Sequence, residues 1–121
     1  MTSIFIVEDE LELQTLYEMM LKGFSYNVVG KASNGEEAVQ MYKNFMEKPD
    51  VILMDHRMPI KTGIEASREI LEFDQSAKII FTSADESVKE LALSIGVFSF
   101  ISKPFEIRKF KENIDKALVN A

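Results

Sequence analysis

The chain has no cysteine, which removes a disulfide framework, thiolate metal ligands and a cysteine nucleophile together. No apolar run approaches the roughly 18 residues that span a bilayer, so no membrane segment is expected. Glu8, Asp9, Glu10, Glu12 and Glu18 crowd the N-terminal stretch, a pattern that the apolar core of a secretory leader does not tolerate. Excess positive charge is missing too. With a net charge of −6, the chain lacks the clustered Lys and Arg that would release counterions from a nucleic acid. The expectation is a soluble, cytoplasmic protein whose partners are proteins, with no direct contact to nucleic acid or membrane.

What is present suits a single domain. The 121 residues are 46% hydrophobic, enough to enclose one core, and no repeat, low-complexity tract or linker divides them. Five short apolar runs recur: SIFIV (3–7), YNVVGKA (26–32), VILM (51–54), KIIFT (78–82) and SFIS (99–102). Helical periodicity fills the intervals. Leu13, Leu16, Met20 and Leu21 mark a first stripe, and Ala38, Val39, Tyr42, Phe45 and Met46 a second. Ile64, Ser67, Ile70 and Leu71 mark a third, Val88, Leu91, Ala92 and Ile95 a short fourth, and Ile107, Phe110, Ile114, Ala117 and Leu118 a fifth. Asn34 with Glu37 has the spacing of a capping box opening the second helix, and Pro49 is expected to close it. Seven methionines scattered over helices and loops read as core filler.

Strand and helix alternating five times imply a parallel sheet covered on both faces, because parallel strands need crossover connections. The leading topology is α/β and doubly wound, with strand order 2-1-3-4-5. In such sheets a ligand site lies beyond the carboxyl ends of the strands, where the winding reverses between strands 1 and 3. Glu8 and Asp9 follow strand 1, Asp55 ends strand 3, Thr82 and Ser83 end strand 4, and Lys103-Pro104 follows strand 5. Three converging carboxylates repel one another unless a cation lies among them. An all-oxygen acidic site of this kind suits Mg2+, with the lysine and a hydroxyl placed as donors to a phosphoryl group.

These residues carry a resemblance. IFIVEDE, VILMDHRMP with Gly63 following, FTSAD and GVFSFISKPF together resemble the receiver domain of two-component response regulators, over essentially the whole chain, in its stand-alone, chemotaxis-regulator-like form. The resemblance implies a flavodoxin-like doubly wound (βα)5 three-layer sandwich forming one receiver domain over residues 1–121. It implies that Asp55 accepts a phosphoryl group from a histidine kinase or a small phosphodonor. Asp9 and Asp55 would bind Mg2+ directly, the backbone carbonyl of Arg57 would add a third ligand, and Glu8 would act through a metal-bound water. Lys103 and Ser83 would hold phosphoryl oxygens, Ser83 being favoured over Thr82 by the Ser-Ala pair at 83 and 84. Ser83 and Phe100 would switch, and the fourth helix, fifth strand and fifth helix would form the face for a downstream protein target. A Lys103-Pro104 cis bond is implied in the same way. A monomer is expected, with dimerisation on phosphorylation left open, and the only chemistry expected is the domain's own phosphotransfer and slow autodephosphorylation.

Each residue also has a plainer reading: Asp55 as a loop-entry carboxylate, Lys103 as a surface lysine with a buried stem, Phe100 as core. His56, the sole histidine, is turned away from Asp55 by strand alternation and is not expected to take part. Three features depart from the common family pattern: Glu at position 8, the bulky cation Arg57, and a shortened interval from Ser83 to Lys103 that implies a trimmed loop or fourth helix. Arg57, with no evident partner, is expected to lie over the phosphoryl group and exclude water. A pseudo-receiver that binds partners without phosphorylation is the alternative. An aspartyl phosphohydrolase would need a second aspartate at position 57, and a flavodoxin-like flavin carrier would need a Ser/Thr/Gly-rich loop where Glu8, Asp9 and Glu10 stand.

Overall fold

A computed structural model describes residues 1–119, so positions 120 and 121 of the expected domain lie outside the described residues. In chain order the elements are β1 (Ser3–Val7), α1 (Leu11–Gly23), β2 (Asn27–Ala32), α2 (Gly35–Asn44), β3 (Val51–Asp55) and α3 (Gly63–Phe73). They continue with β4 (Ile79–Ser83), a 3-10 turn (Glu86–Val88), α4 (Lys89–Ile95), β5 (Ser99–Ser102) and α5 (Ile107–Val119). The strands pair in parallel in the order β2-β1-β3-β4-β5, as expected.

Strand alternation sends successive side chains to opposite faces, and each face builds its own apolar layer. Phe5, Val7, Ile52, Met54, Ile79 and Phe81 pack with Tyr42 of α2, Ile70 of α3 and Ala92 of α4. Ile4, Ile6, Val51, Leu53 and Ile80 pack with Tyr17 and Leu21 of α1 and with Phe110 and Ile114 of α5. Because the three central strands are covered on both sides, their sequences are nearly continuous apolar runs. Each fully buried Ile, Leu or Phe contributes about 1.5–3 kcal/mol, so these layers dominate stability.

The helix faces differ from the expected stripes in particular places. On α1 the inward stripe is Gln14, Tyr17 and Leu21, whereas Leu16 is exposed. Met46 is fully exposed because α2 stops at Asn44, well before Pro49. The Lys48 ammonium donates to the carbonyls of Tyr42 at 2.6 Å and Phe45 at 2.8 Å, satisfying acceptors that the ended helix leaves open. Leu91 and Ile107 also face solvent.

At the start of α2 the Asn34 side chain accepts from the Glu37 amide, but the Glu37 carboxylate accepts from Ser33 rather than from the cap residue. The reciprocal box is on α3, where Thr62 and Glu65 cap each other. After β4 the helical segment is a single 3-10 turn and a seven-residue α4, in keeping with the trimmed interval.

Candidate functional site

Register brings the polar strand ends together. Val7 pairs with Met54, so Glu8 and Asp55 are the next residues along two neighbouring strands. Asp55 stands opposite Thr82 and Ser83 opposite Ser102, which puts Lys103 one step beyond. The Lys103 amide donates to the Ser83 carbonyl at 2.9 Å, tying the fifth strand's exit to the fourth. The Lys103-Pro104 peptide is cis.

An open cleft of about 690 Å³ lies over these ends, lined by Asp9, Asp55, Arg57, Ser83, Asp85 and Lys103 among others. Lys103 Nζ reaches Asp55 Oδ1 at 2.8 Å and Glu8 Oε1 at 3.0 Å. Glu8 is 1% exposed and Asp55 6%. Burial, then the Asp55 charge, push the Glu8 carboxyl well above the ordinary carboxylate range, against the pull of Lys103. Burial also raises Asp55, opposed chiefly by its hydrogen bond to Lys103. Burial alone would lower the Lys103 ammonium, but the hydrogen bond and charge of Asp55 hold it above the usual lysine value.

Carboxylate oxygens of Glu8, Asp9 and Asp55 come within 4.8 Å of one another. Three hard oxygen donors facing a single ammonium leave negative charge uncompensated, and this donor set fits a small divalent cation such as Mg2+.

Of the two candidate hydroxyls, Ser83 lines the cleft, and its Oγ accepts from the Asp85 amide at 3.0 Å. Thr82 turns inward, toward the Met54 carbonyl. Phe100 is half-buried and stacks on Phe81, centroids 6.0 Å apart. His56 also packs against Phe81, centroids 5.7 Å apart, outside the residues that line the cleft, and its Nδ1 is buried without a hydrogen-bond partner among the described residues.

Arg57 departs from expectation. Its side chain is 81% exposed and pairs with Asp85 at 3.5 Å, across the mouth of the cleft. Asp85 is held below the usual carboxylate range first by its hydrogen bonds to Ser87 and secondarily by Arg57, so the arginine has a partner that stays charged. Asp85 is the site residue that sequence reasoning missed: it lies on a different loop, and neither spacing nor periodicity links it to Arg57.

Comparison with known proteins gives one answer. The response regulator receiver domain family matches residues 4–115. The chemotaxis protein CheY of Thermotoga maritima is 36% identical over 115 residues, 93% of this chain and 94% of that protein. The receiver domain of a sensor histidine kinase from Pseudomonas aeruginosa PAO1, solved with magnesium coordinated in its active site cleft, superposes with a TM-score of 0.88 at 29% identity, covering 98% of each chain. A CheX-CheY complex from Borrelia burgdorferi, solved with BeF3 and Mg2+, contains a chain that superposes with a TM-score of 0.90 at 30% identity, covering 95% of this chain and 87% of that one. By sequence and fold, the chain belongs to the response regulator receiver domain family, the phosphoacceptor signalling modules of two-component systems.

Proposed function

We propose that Asp55 is the phosphoacceptor, receiving its phosphoryl group from a histidine kinase or from a small donor such as acetyl phosphate. The observation that carries this reading is the Asp55 carboxylate, buried at the cleft with Lys103 at 2.8 Å and oxygens of Glu8 and Asp9 close by. In the transfer a carboxylate oxygen of Asp55 attacks phosphorus as the donor's P–N or P–O bond breaks. The donor keeps the bonding electrons, and a phosphohistidine nitrogen takes up a proton as it leaves. The product is an acyl phosphate, and hydrolysis returns Asp55 and inorganic phosphate when water attacks the phosphorus.

Catalysis here is positioning and charge neutralisation around a loose transition state. Lys103 moves from its two carboxylates onto a phosphoryl oxygen, and the Ser83 hydroxyl donates to another. Asp9, Asp55 and the backbone carbonyl of Arg57 would hold Mg2+, with Glu8 acting through a water. A bound Mg2+ supplies the positive charge that lets carboxylates and phosphoryl oxygens share the cleft.

The new group adds about −1.5 to −2 charge and three acceptors, which draws the Ser83 loop inward and lets Phe100 follow. The changed face is α4, β5 and α5. It carries exposed Leu91, Leu93 and Ile107 beside a shallow cleft lined by Lys89, Phe100, Phe105 and Lys109, suited to a downstream protein. The CheX partner of the Borrelia CheY supports an output made by protein binding. A cytoplasmic domain that is monomeric before phosphorylation fits this role, and no helix among the described residues is long and apolar enough to cross a membrane.

Incubation with acetyl phosphate and Mg2+, followed by intact mass, tests the assignment. Wild type should gain about 80 Da, the mass of the added HPO3, only when Mg2+ is present, and Asp55→Asn should gain nothing. An adduct that persists in Asp55→Asn would sink the assignment.

A further inference from the structure

Gln14 is a polar side chain on the inner face of α1, 6% exposed, where an apolar residue would ordinarily pack. Its carboxamide nitrogen lies 2.6 Å from the Glu8 carbonyl, 3.2 Å from the Ala32 carbonyl and 3.2 Å from Ser33 Oγ. The Glu8 amide already donates to Ala32 O at 3.0 Å, the last bond between the chains leaving β1 and β2. Beyond that rung the ladder ends, and the Glu8 carbonyl has lost its place in the sheet. Gln14 reaches back from α1 and donates to that carbonyl.

The carbonyl in question belongs to the peptide joining Glu8 to Asp9. A peptide is planar, so holding its oxygen also fixes the direction in which Asp9 departs. Asp9 is half-buried and lines the cleft, and its carboxylate must converge with those of Glu8 and Asp55. We infer that Gln14 is a positioning residue of the acidic site: by clamping the Glu8-Asp9 peptide it sets the geometry, and so the affinity, with which these carboxylates take a divalent cation. This rests on the reading of Glu8 and Asp9 as the cation-binding half of the site. Gln14 touches neither Asp55 nor the phosphoryl position, so its influence falls on cation binding and leaves the transfer step itself alone.

An amide NMR titration with Mg2+ tests this in wild type, Gln14→Met, Gln14→Glu and Leu21→Val. Met matches glutamine in length and removes the donor, Glu places an acceptor against two carbonyls, and Leu21→Val loosens the same helix face away from the site. In Gln14→Met the Asp9 amide resonance should shift before any Mg2+ is added, because the bond to its own peptide carbonyl is gone. Mg2+ affinity should weaken about tenfold, equivalent to about 1.4 kcal/mol, and further in Gln14→Glu. Leu21→Val should stay within about twofold of wild type, and phosphorylation of Gln14→Met by acetyl phosphate should recover to the wild-type rate at saturating Mg2+. Equal weakening in Gln14→Met and Leu21→Val would show a general packing effect and overturn the inference, as would a folded Gln14→Met with wild-type affinity. Wild type that binds no Mg2+ would overturn the functional reading and this inference together.

Discussion

Replacing Gly63 by alanine tests how closely the proposed acceptor, Asp55, depends on the helix behind it. Gly63 is the first residue of α3, and its amide donates to the His56 carbonyl at 2.9 Å, so α3 begins directly against the end of β3. A Cβ at this position would stand 2.1 Å from the Asp55 carbonyl oxygen and 2.9 Å from both the Asp55 carbonyl carbon and His56 Cα. All three are backbone atoms, which cannot swing aside as a side chain can. Ordinary contact begins at 3.4 Å, so the helix and the strand end must separate by about 1.3 Å. Alanine would gain about 1 kcal/mol in helix propensity, but overpacking typically costs about 1–3 kcal/mol, and an overlap with rigid backbone belongs at the upper end. The net cost of about 2 kcal/mol should lower the unfolding midpoint by roughly 6–12 °C.

The functional effect should be larger, because the displaced carbonyl belongs to Asp55, the proposed acceptor. A shift of about 1 Å in a reacting group can cost about 100-fold in rate, so phosphorylation by acetyl phosphate at saturating Mg2+ should slow by about that factor. Thermal unfolding and the time course of adduct formation by intact mass measure both. Gly23→Ala is the control: nothing lies within 4 Å of its added Cβ, and it should be neutral or stabilising by about 0.4–1 kcal/mol. A Gly63→Ala protein with the wild-type midpoint and rate would refute the argument.

Two further outcomes are expected. Exposed ion pairs contribute about 0–1 kcal/mol, so the Asp85 partner of Arg57 should yield to a phosphoryl dianion: Asp85→Asn should lengthen the adduct's half-life, Arg57→Ala should shorten it by roughly tenfold, and the double variant should match Arg57→Ala; an Arg57→Ala half-life equal to or longer than wild type would count against shielding. The Asp74 carboxyl is held below its ordinary value first by the Tyr42 hydroxyl, 2.6 Å away, so that bond stabilises the fold above pH 3.8 and fades as pH falls through the lowered folded value. The gap in unfolding midpoint between wild type and Tyr42→Phe should therefore be constant near neutrality and narrow in acid, and a gap that widened in acid would contradict the assignment.

The strands were legible because β1, β3 and β4 are buried on both faces, and a short unbroken apolar run between turn signals has few alternatives to a buried strand. The convergence of the polar strand ends was legible for a related reason, since a carboxylate directly after such a run has only the strand's end to occupy. The face of α1 was legible only in part. Of the expected stripe Leu13, Leu16, Met20 and Leu21, Leu21 is fully buried and Leu13 and Met20 pack against the core, but Leu16 is exposed and the buried positions also include Gln14 and Tyr17. Gln14 is inward where the Glu8 carbonyl takes its side-chain N–H at 2.6 Å, a requirement set by the end of the sheet and invisible along the helix. The Thr62-Glu65 box has the readable T-x-x-E spacing, whereas the second arm of the Asn34-Glu37 pair closes on Ser33. The partner of Arg57 could not be read because the Arg57 and Asp85 loops meet only once the strands are in register.

The charge balance of the cleft explains why it is built as it is. Glu8, Asp9 and Asp55 bring three carboxylates against one nearby ammonium, and the two most buried have their protonated forms favoured by burial. Such a cluster contributes little to stability, since removing charges from water offsets much of the attraction between them; the two apolar layers supply the fold. An additional lysine would neutralise the cluster more completely, but it would also fill space that the proposed acyl phosphate of Asp55 needs. A site left short of positive charge can instead take a divalent cation together with its substrate. In the proposed transfer Lys103 leaves its two carboxylates for a phosphoryl oxygen, and because its amide is anchored to the Ser83 carbonyl, that move would bear directly on the loop leading into α4.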